Sequence, residues 1–542
     1  MKAPEGICVK LRTFPLKHRL FHGNAPQNES VSILQQPLQL LPFFDLRCLG
    51  QGCREIDVIG FRRSTLHSLN FDFMSHRFIC HYNSIYTIIK GNVKKTPEPS
   101  APPTPAQPLS IGTVLFAEAD LRQLAKDLKF TKRTPRKIDL LSLLASLCTE
   151  CLQGSPSCND LAAQIQTHSG NAPSRQAVSL RLNQAFENIL QRLLEMVIRE
   201  KTAGDGAPAA QTMPAFRNYR RVLVQDSTII KLPSHLFEDF SGVANAHGSV
   251  CNARIQATYN LLDHCLLAVA IDPYSKNDQA AAPELSLQKD DLVLRDRGYL
   301  VVDEIQRHRE AGADCIYRHR TGTVYLDPQT GHPIDLPALL KNQGQLDLEV
   351  LLNNKARTRV RLVTAPVDGE TANRRRRKAK IETHGHQPSK AVLELMDWTI
   401  FITTIPAALA SFKEILAIYG LRWRIEIIFK AWKSHLKFPL LHRVSKLQMA
   451  ILLKARLLII TACTNQVYGS LERTVQQNYH RRLSLLKFMR FLAQSPARFI
   501  QVWRSLLLSD LENRALYEIL VRYCCYDLRK RQNYSETWDA LA

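Results

Sequence analysis

The stretch RVLVQDSTIIKL, residues 221–232, decides the fold. Aliphatic and β-branched residues alternate there with polar ones, which is the two-residue period of a strand. Residues 253–262 and 265–271 are two further apolar runs about Asp263-His264, and read as a hairpin. A short Ala/Leu stretch at 279–287 precedes Leu292-Val293-Leu294, a strand of buried type. The order is thus three strands, a helix, and a strand. Asp226 follows Val222-Leu223-Val224, and Asp296 closes the later run. An acid just past a buried apolar run is costly unless it is solvated, paired or bound to a metal.

A third carboxylate belongs with these two. Residues 419–433 read YGLRWRIEIIFKAWK. Each helical residue advances about 100°, so Tyr419, Arg422, Glu426, Lys430 and Lys433 share a sector of about 80°. Leu421, Ile425, Ile428, Phe429 and Trp432 fall on the opposite side as a core stripe. Alone, such a face is an ordinary solvated one with i,i+4 pairs. Beside two aspartates on neighbouring strands, it becomes the third wall of a carboxylate site for hard divalent cations, suited to phosphoryl transfer.

The rest of the chain is organised around this region. The element order opens an RNase H-like α/β domain, placed at 211–435, with β-patterned excess at about 300–400. Residues 97–108 (PEPSAPPTPAQP) form a Pro-rich linker. Before it, residues 1–96 are an irregular extension with little periodicity, or an upstream stretch preceding a start at Met74. Residues 109–210 read as a helical DNA-binding domain. It contains a leucine stripe at 140–147, a short helix at 159–166, and a long helix capped by Ser174 and running to Val197. The short helix, Gly/Pro turn and following helix suggest a helix-turn-helix or an ordinary bundle. Residues 436–542 read as C-terminal helices, with apolar runs at 449–461, 483–492 and 499–507.

Composition narrows the partner. The 542 residues hold 72 Lys+Arg against 49 Asp+Glu, a net charge of +23, which favours nucleic acid. An apolar share of 45% supplies sizeable cores and excludes a wholly disordered chain. The best candidate for a membrane span, 448–464, is interrupted by Lys454 and Arg456, so no membrane partner is expected. The beginning of the sequence carries no export pattern, and a cytoplasmic, nucleoid-associated protein is expected. The 13 irregularly spaced cysteines read as reduced, buried thiols. Cys148-x2-Cys151 with Cys158 lacks the second pair that a zinc site needs.

The residues also carry a family resemblance. Tyr419-x2-Arg422-x3-Glu426-x6-Lys433 resembles the Y-R-E-K signature of the DDE transposases of bacterial insertion-sequence family four, the cut-and-paste Tn type. Asp226-Ser227-Thr228 and Asp296-Arg297-Gly298-Tyr299 look like that family's first and second acidic motifs. The resemblance covers about 110–535 and implies an RNase H-like catalytic domain with a β-strand insertion. It implies that Asp226, Asp296 and Glu426 are a catalytic triad binding two Mg²⁺ ions, with Mn²⁺ as a substitute. It further implies binding of terminal inverted repeats, excision through hairpinned ends, joining to target DNA, and a homodimer on paired double-stranded ends.

Within that picture Tyr419, Arg422 and Lys433 grip phosphates, with Lys430 and Arg297 beside them. Trp423 is the first choice for stacking on a flipped base, while Trp398 is assigned to the core and Tyr317 and Tyr325 are further candidates. The run Arg374-Arg375-Arg376-Arg377 is read as a loop in contact with phosphates. A catalytically inactive DNA-binding relative that inhibits transposition is the alternative. A related nuclease that cuts without joining is a third possibility.

Overall fold

Strands β1 (Arg221–Lys231), β2 (Asn252–Asn260), β3 (Cys265–Pro273), β4 (Asp291–Arg295), β5 (Asp314–Arg318), β6 (Tyr325–Leu326), β7 (Asp347–Leu352), β8 (Arg359–Pro366) and β9 (Trp398–Thr403) join in one sheet. Their order is β3-β2-β1-β4-β5-β9-β8-β7-β6. β1, β4 and β5 run parallel to one another, and β2 and β3 are antiparallel beside β1. The 300–400 region therefore does not stand apart: β6 to β9 extend the same sheet from β5 through antiparallel pairs. The computed structural model describes residues 115–541 except 132–136, 203–212, 243–249, 283, 383–386, 506–511 and 528–533. The expectations for residues 1–108 lie outside the described residues.

The central strands are buried on both faces, a departure from the half-buried alternation read from 221–232. Val222, Val224, Leu292, Leu294 and Ile316 join one apolar core, while Leu223, Val293, Cys315 and Tyr317 join a second on the other face. Helices cover both sides, as parallel strands require. The hairpin about Asp263-His264 is present, and His264 takes a positive φ of 56° at the turn.

Ahead of the sheet lie helices α1 (Glu118–Asp127), α2 (Leu140–Gln153), α3 (Cys158–Ser169), α4 (Arg175–Arg181) and α5 (Gln184–Thr202). The single helix expected from Ser174 to Val197 is two. Ser174 does cap α4, accepting from the Ala177 amide. The helix then stops at Leu182, because the Asn183 side chain accepts from the Phe186 amide at 3.1 Å and starts α5.

Helices α6 (Val302–Glu310), α7 (Leu336–Gln343) and α8 (Gly369–Glu382) lie between strands, and α9 (Phe412–Gly420) and α10 (Trp423–Ser434) follow β9. The chain then continues as α11 (Lys446–Ala462), a π-helical turn (Cys463–Tyr468) and α12 (Gly469–Tyr479). It ends with α13 (Leu485–Ala493), α14 (Pro496–Arg504), α15 (Arg514–Tyr523) and α16 (Tyr534–Asp539). The stretch Lys446–Tyr479 has the length and apolarity of a membrane span, but most of it is buried within the protein. Arg456 in its middle donates to the carbonyls of Phe438 and Gly154 at 2.8 and 2.6 Å. The nine cysteines among the described residues are free thiols, eight of them buried, Cys148 and Cys151 included.

Candidate active site

The sheet register sets the two aspartates side by side. Gln225 of β1 pairs with Arg295 of the parallel neighbour β4, so Asp226 and Asp296 follow at the same level. Neighbouring parallel strands are about 4.8 Å apart and equivalent positions share a face. Asp296 starts a short 3-10 turn, Arg297–Tyr299, without capping it by its side chain.

Glu426 comes from α10, which packs on β1. The 419–433 segment is not one helix. It breaks at Leu421-Arg422, where the Leu421, Arg422, Arg424 and Ile425 amides bond three residues back rather than four. Gly420, the weakest helix former of the segment, sits at the break. The wheel therefore places the α10 residues correctly but gives Tyr419 a wrong angle, since it belongs to α9. The core stripe of Leu421, Ile425, Ile428, Phe429 and Trp432 is buried throughout.

The break brings Arg422 into the middle of the acids. Its guanidinium donates to Asp226 Oδ2 at 3.0 Å and to Glu426 Oε1 at 2.5 Å. It also lies 5.7 Å from the centre of the Tyr419 ring. The Tyr419 hydroxyl donates to Asp296 Oδ1 at 3.3 Å and reaches the Arg295 carbonyl at 3.5 Å. Tyr419 and Arg422 thus tie all three carboxylates into one network. Burial pushes the Asp226 carboxyl up to about 6; Arg422 and the Ser227 amide oppose this, and Glu426 and Asp296 add to it. For Arg422, burial acts to lower the pKa, but Tyr419 and the acids outweigh it and hold the guanidinium above its ordinary range.

Behind these residues lies a set of supporting contacts that the sequence reading misses. Ser227 donates to Asp278 Oδ1 at 2.6 Å, and Arg254 of β2 donates to both Ser227 Oγ and Asp278. Tyr299 donates to Gln256 at 2.8 Å, and Arg295 donates to Gln225 and Tyr317. A signal for it exists: Arg254, Gln256, Thr258 and Asn260 put a polar residue at every second position of β2, and all four are buried. A strand with one polar, buried face must satisfy it internally.

Cationic side chains surround this centre. Lys430 and Lys433 are exposed on α10, and Arg297 is exposed beside Asp296. The run at 374–377 is helical, not a loop. It lies in α8, whose start is capped by Asp368 accepting from the Thr371 amide at 2.7 Å. Ala372 is buried, Arg375 donates to the Trp398 carbonyl and Thr399 hydroxyl, and Arg376 donates to Asp397 and the Leu393 carbonyl. Arg374 and Arg377 are exposed. A cleft of about 600 Å³ runs between α8 and Asp296's neighbour Arg297, with Arg318, Arg374, Arg375 and Trp398 in its walls.

Of the aromatics, Trp423 is 57% exposed at the start of α10. Trp398 is half-buried against the second core. Tyr317 and Tyr325 are both buried, bonded to His308 and His319 respectively, so neither presents its ring at the surface.

Three carboxylates are the right donors for a hard divalent cation. Among the described residues no group of three or more Asp, Glu, His or Cys side chains is gathered as a ready-made metal site. The donor set fits such an ion in kind, while Arg422 now supplies the positive charge between Asp226 and Glu426.

Residues 218–462 match the family model described as "Transposase DDE domain". The chain is 24% identical over 392 residues to the transposase for insertion sequence element IS231E of Bacillus thuringiensis subsp. finitimus, covering 68% of this chain and 80% of the relative. It is 20% identical over 447 residues to the transposase for insertion sequence element IS1151 of Clostridium perfringens, covering 77% and 92%. Among solved structures, a piggyBac transposase synaptic complex with hairpin DNA aligns over 78% of this chain and 86% of that one, at 9% identity and a TM-score of 0.36. Residues 218–462 are thus a transposase DDE domain, and the chain is a DDE-type relative of the insertion-sequence transposases.

Proposed function

We propose that this chain is a Y-R-E-K transposase of insertion-sequence family four, with Asp226, Asp296 and Glu426 as its catalytic acids. It binds the terminal inverted repeats of its element, cuts the element out through hairpinned ends, and joins it to target double-stranded DNA as a homodimer. The observation that carries this reading is the single network in which Arg422 and Tyr419 tie the three acids. The strand order β3-β2-β1-β4-β5 supports an RNase H-like core, with β6 to β9 as its insertion.

The acids would hold the divalent cations, Mg²⁺ or Mn²⁺ and two per site, that supply Lewis-acid polarisation of the scissile phosphate and acidify the attacking hydroxyl. Arg422 offers a planar fork that suits a phosphate as well as it suits a carboxylate. Arrival of the DNA end would draw it from Asp226 and Glu426 onto the backbone, freeing both for the cations. Lys430 and Lys433 add point charges along the same helix, and Arg297, Arg374 and Arg377 extend the track. Trp423, exposed one residue from Arg422, would stack on a base taken from the duplex. Half-buried Trp398 serves instead as a wall of the cationic cleft.

The test is direct. Purified chain, Mg²⁺ and linear DNA carrying the repeats that flank the gene are expected to yield hairpinned ends. Binding without cleavage would instead favour an inactive inhibitor, and nicking without joining a nuclease.

A further inference from the structure

Arg424 lies two residues before Glu426 on α10 and is 1% exposed. Two residues correspond to about 200° around a helix, so the two side chains leave α10 on opposite faces. Glu426 points to the acid network. Arg424 points into a cage of aromatic groups. It donates to the Tyr468 hydroxyl at 2.8 Å and to the Tyr526 hydroxyl at 3.0 Å. Its guanidinium is 4.6 Å from the centre of the Tyr534 ring and 5.3 Å from that of Tyr468. Tyr468 passes the bond on by donating to the Leu483 carbonyl at 2.6 Å.

A buried guanidinium is an expensive way to fill space, and Met or Leu would do so without desolvating a charge. What the guanidinium adds is direction. A planar fork held by two hydroxyls and faced by two rings fixes the roll of the helix about its axis. Roll is the coordinate that decides where Glu426 points.

The last helix closes the cage. Tyr534 of α16 covers Arg424, and Trp538 packs between Phe216 and His264 at ring distances of 5.7 and 5.9 Å. Arg482 holds Asp539 at 2.9 Å and stands over the Trp538 ring. A Cβ on Gly420 would meet Thr537 Cγ2 at 3.7 Å, so α16 lies directly against the break that carries Tyr419 and Arg422.

We infer that Arg424 and the C-terminal helix α16 are positioning elements that hold the roll of α10, and so the aim of Glu426 and Arg422. This rests on Glu426 acting as proposed above. Arg424 touches no substrate and acts only through the helix.

The test uses the full chain with Arg424→Lys, Tyr534→Leu and, in parallel, Glu426→Gln. Melting temperature, repeat-DNA affinity, kcat and KM for nicking, and binding of Mn²⁺ alone by electron paramagnetic resonance are measured. Arg424→Lys and Tyr534→Leu are expected to stay folded with a lowered melting temperature and, below it, to bind DNA close to the parent. Their kcat is expected to fall roughly 10- to 100-fold at unchanged KM, the scale of a small misplacement of a reacting group. Their Mn²⁺ affinity should weaken with it, a change that a loss of packing elsewhere would not produce. Parental kcat and Mn²⁺ affinity in both variants, while Glu426→Gln is inactive, would overturn the inference and leave the proposed function standing. Full nicking by Glu426→Gln would remove the premise and the inference together. Should Arg424→Lys not fold, Tyr526→Phe deletes a single hydroxyl of the cage and must show the same kcat-only loss; an unchanged kcat overturns the inference.

Discussion

Removing one of the proposed catalytic acids should make the resting protein more stable, and Asp226 is where this can be measured. Its carboxyl is pushed from an ordinary 3.8 to about 6, first by burial, with Glu426 and Asp296 adding to the effect against Arg422. A raised carboxyl pKa means that the folded chain holds the proton more tightly than the unfolded one. The associated stability is complete below about pH 3.8 and is lost as pH rises through about 6. At pH 7.5 the ionised group therefore costs the fold about 3 kcal/mol, from a shift of about two units. Asp226→Asn keeps the shape of the neutral acid, and Arg422 keeps Glu426 as its partner. In EDTA at pH 7.5 the variant is expected to melt several degrees above the parent, with the gap closing as pH falls towards 4. Divalent cations should reverse the order: Mn²⁺ at about 100 times its Kd adds about 2.7 kcal/mol to a chain that binds it, and less to Asp226→Asn. Scanning fluorimetry across pH, with and without Mn²⁺, reads both effects. A variant less stable than the parent in EDTA at pH 7.5, or one stabilised equally by Mn²⁺, would refute the reasoning.

Glu426→Gln should retain repeat binding and lose nicking by about 10³-fold or more, read on denaturing gels; full nicking removes Glu426 from the triad. Trp423→Ala should leave stability within about 0.5 kcal/mol, because the ring is largely exposed, yet block hairpin formation more than the first nick. Equal loss at both steps would argue against stacking. Replacing Arg374 and Arg377 together with Ala should flatten the slope of log affinity against log salt, for any DNA sequence. The change should be about 0.9 for each phosphate that these two side chains neutralise. An unchanged slope would mean that the outer face of α8 does not meet DNA. Arg376→Ala should instead lower the melting temperature, since that side chain ties α8 to Asp397 and the Leu393 carbonyl.

The parts of this chain that are legible in its sequence are those where local pattern and tertiary role coincide. Residues 292–294 are apolar because β4 is buried on both faces, and the Asp263-His264 turn needs only local geometry. The α10 stripe is legible for the same reason. Sequence and structure part where one side chain overrides a periodic signal. Asn183 interrupts an apolar pattern that continues unchanged across it, because a single side-chain bond to the Phe186 amide is enough to restart the helix. Gly420 and the tight turn after it look like ordinary helix by spacing, yet the break they allow puts Arg422 between Asp226 and Glu426. The run at 374–377 reads as a loop because charge density says nothing of backbone state. Its helix is made by the Asp368 cap and by Arg375 and Arg376 bonding inward, to groups more than fifteen residues away. Least legible is what supports the acids. Asp278 and Arg254 are far from Asp226 in sequence and ordinary in composition; the β1–β2 register brings Arg254 near Ser227, and the short helix Asp278–Ala281 after β3 brings Asp278. The same holds for Arg424: its neighbours on α10 suggest a DNA-facing cation, while its burial makes it the most inward-facing charge on the helix. Charge on these elements thus divides by depth: Arg374 and Arg377 are exposed, whereas Arg254, Arg422 and Arg424 are buried and spend their donors on neighbouring side chains.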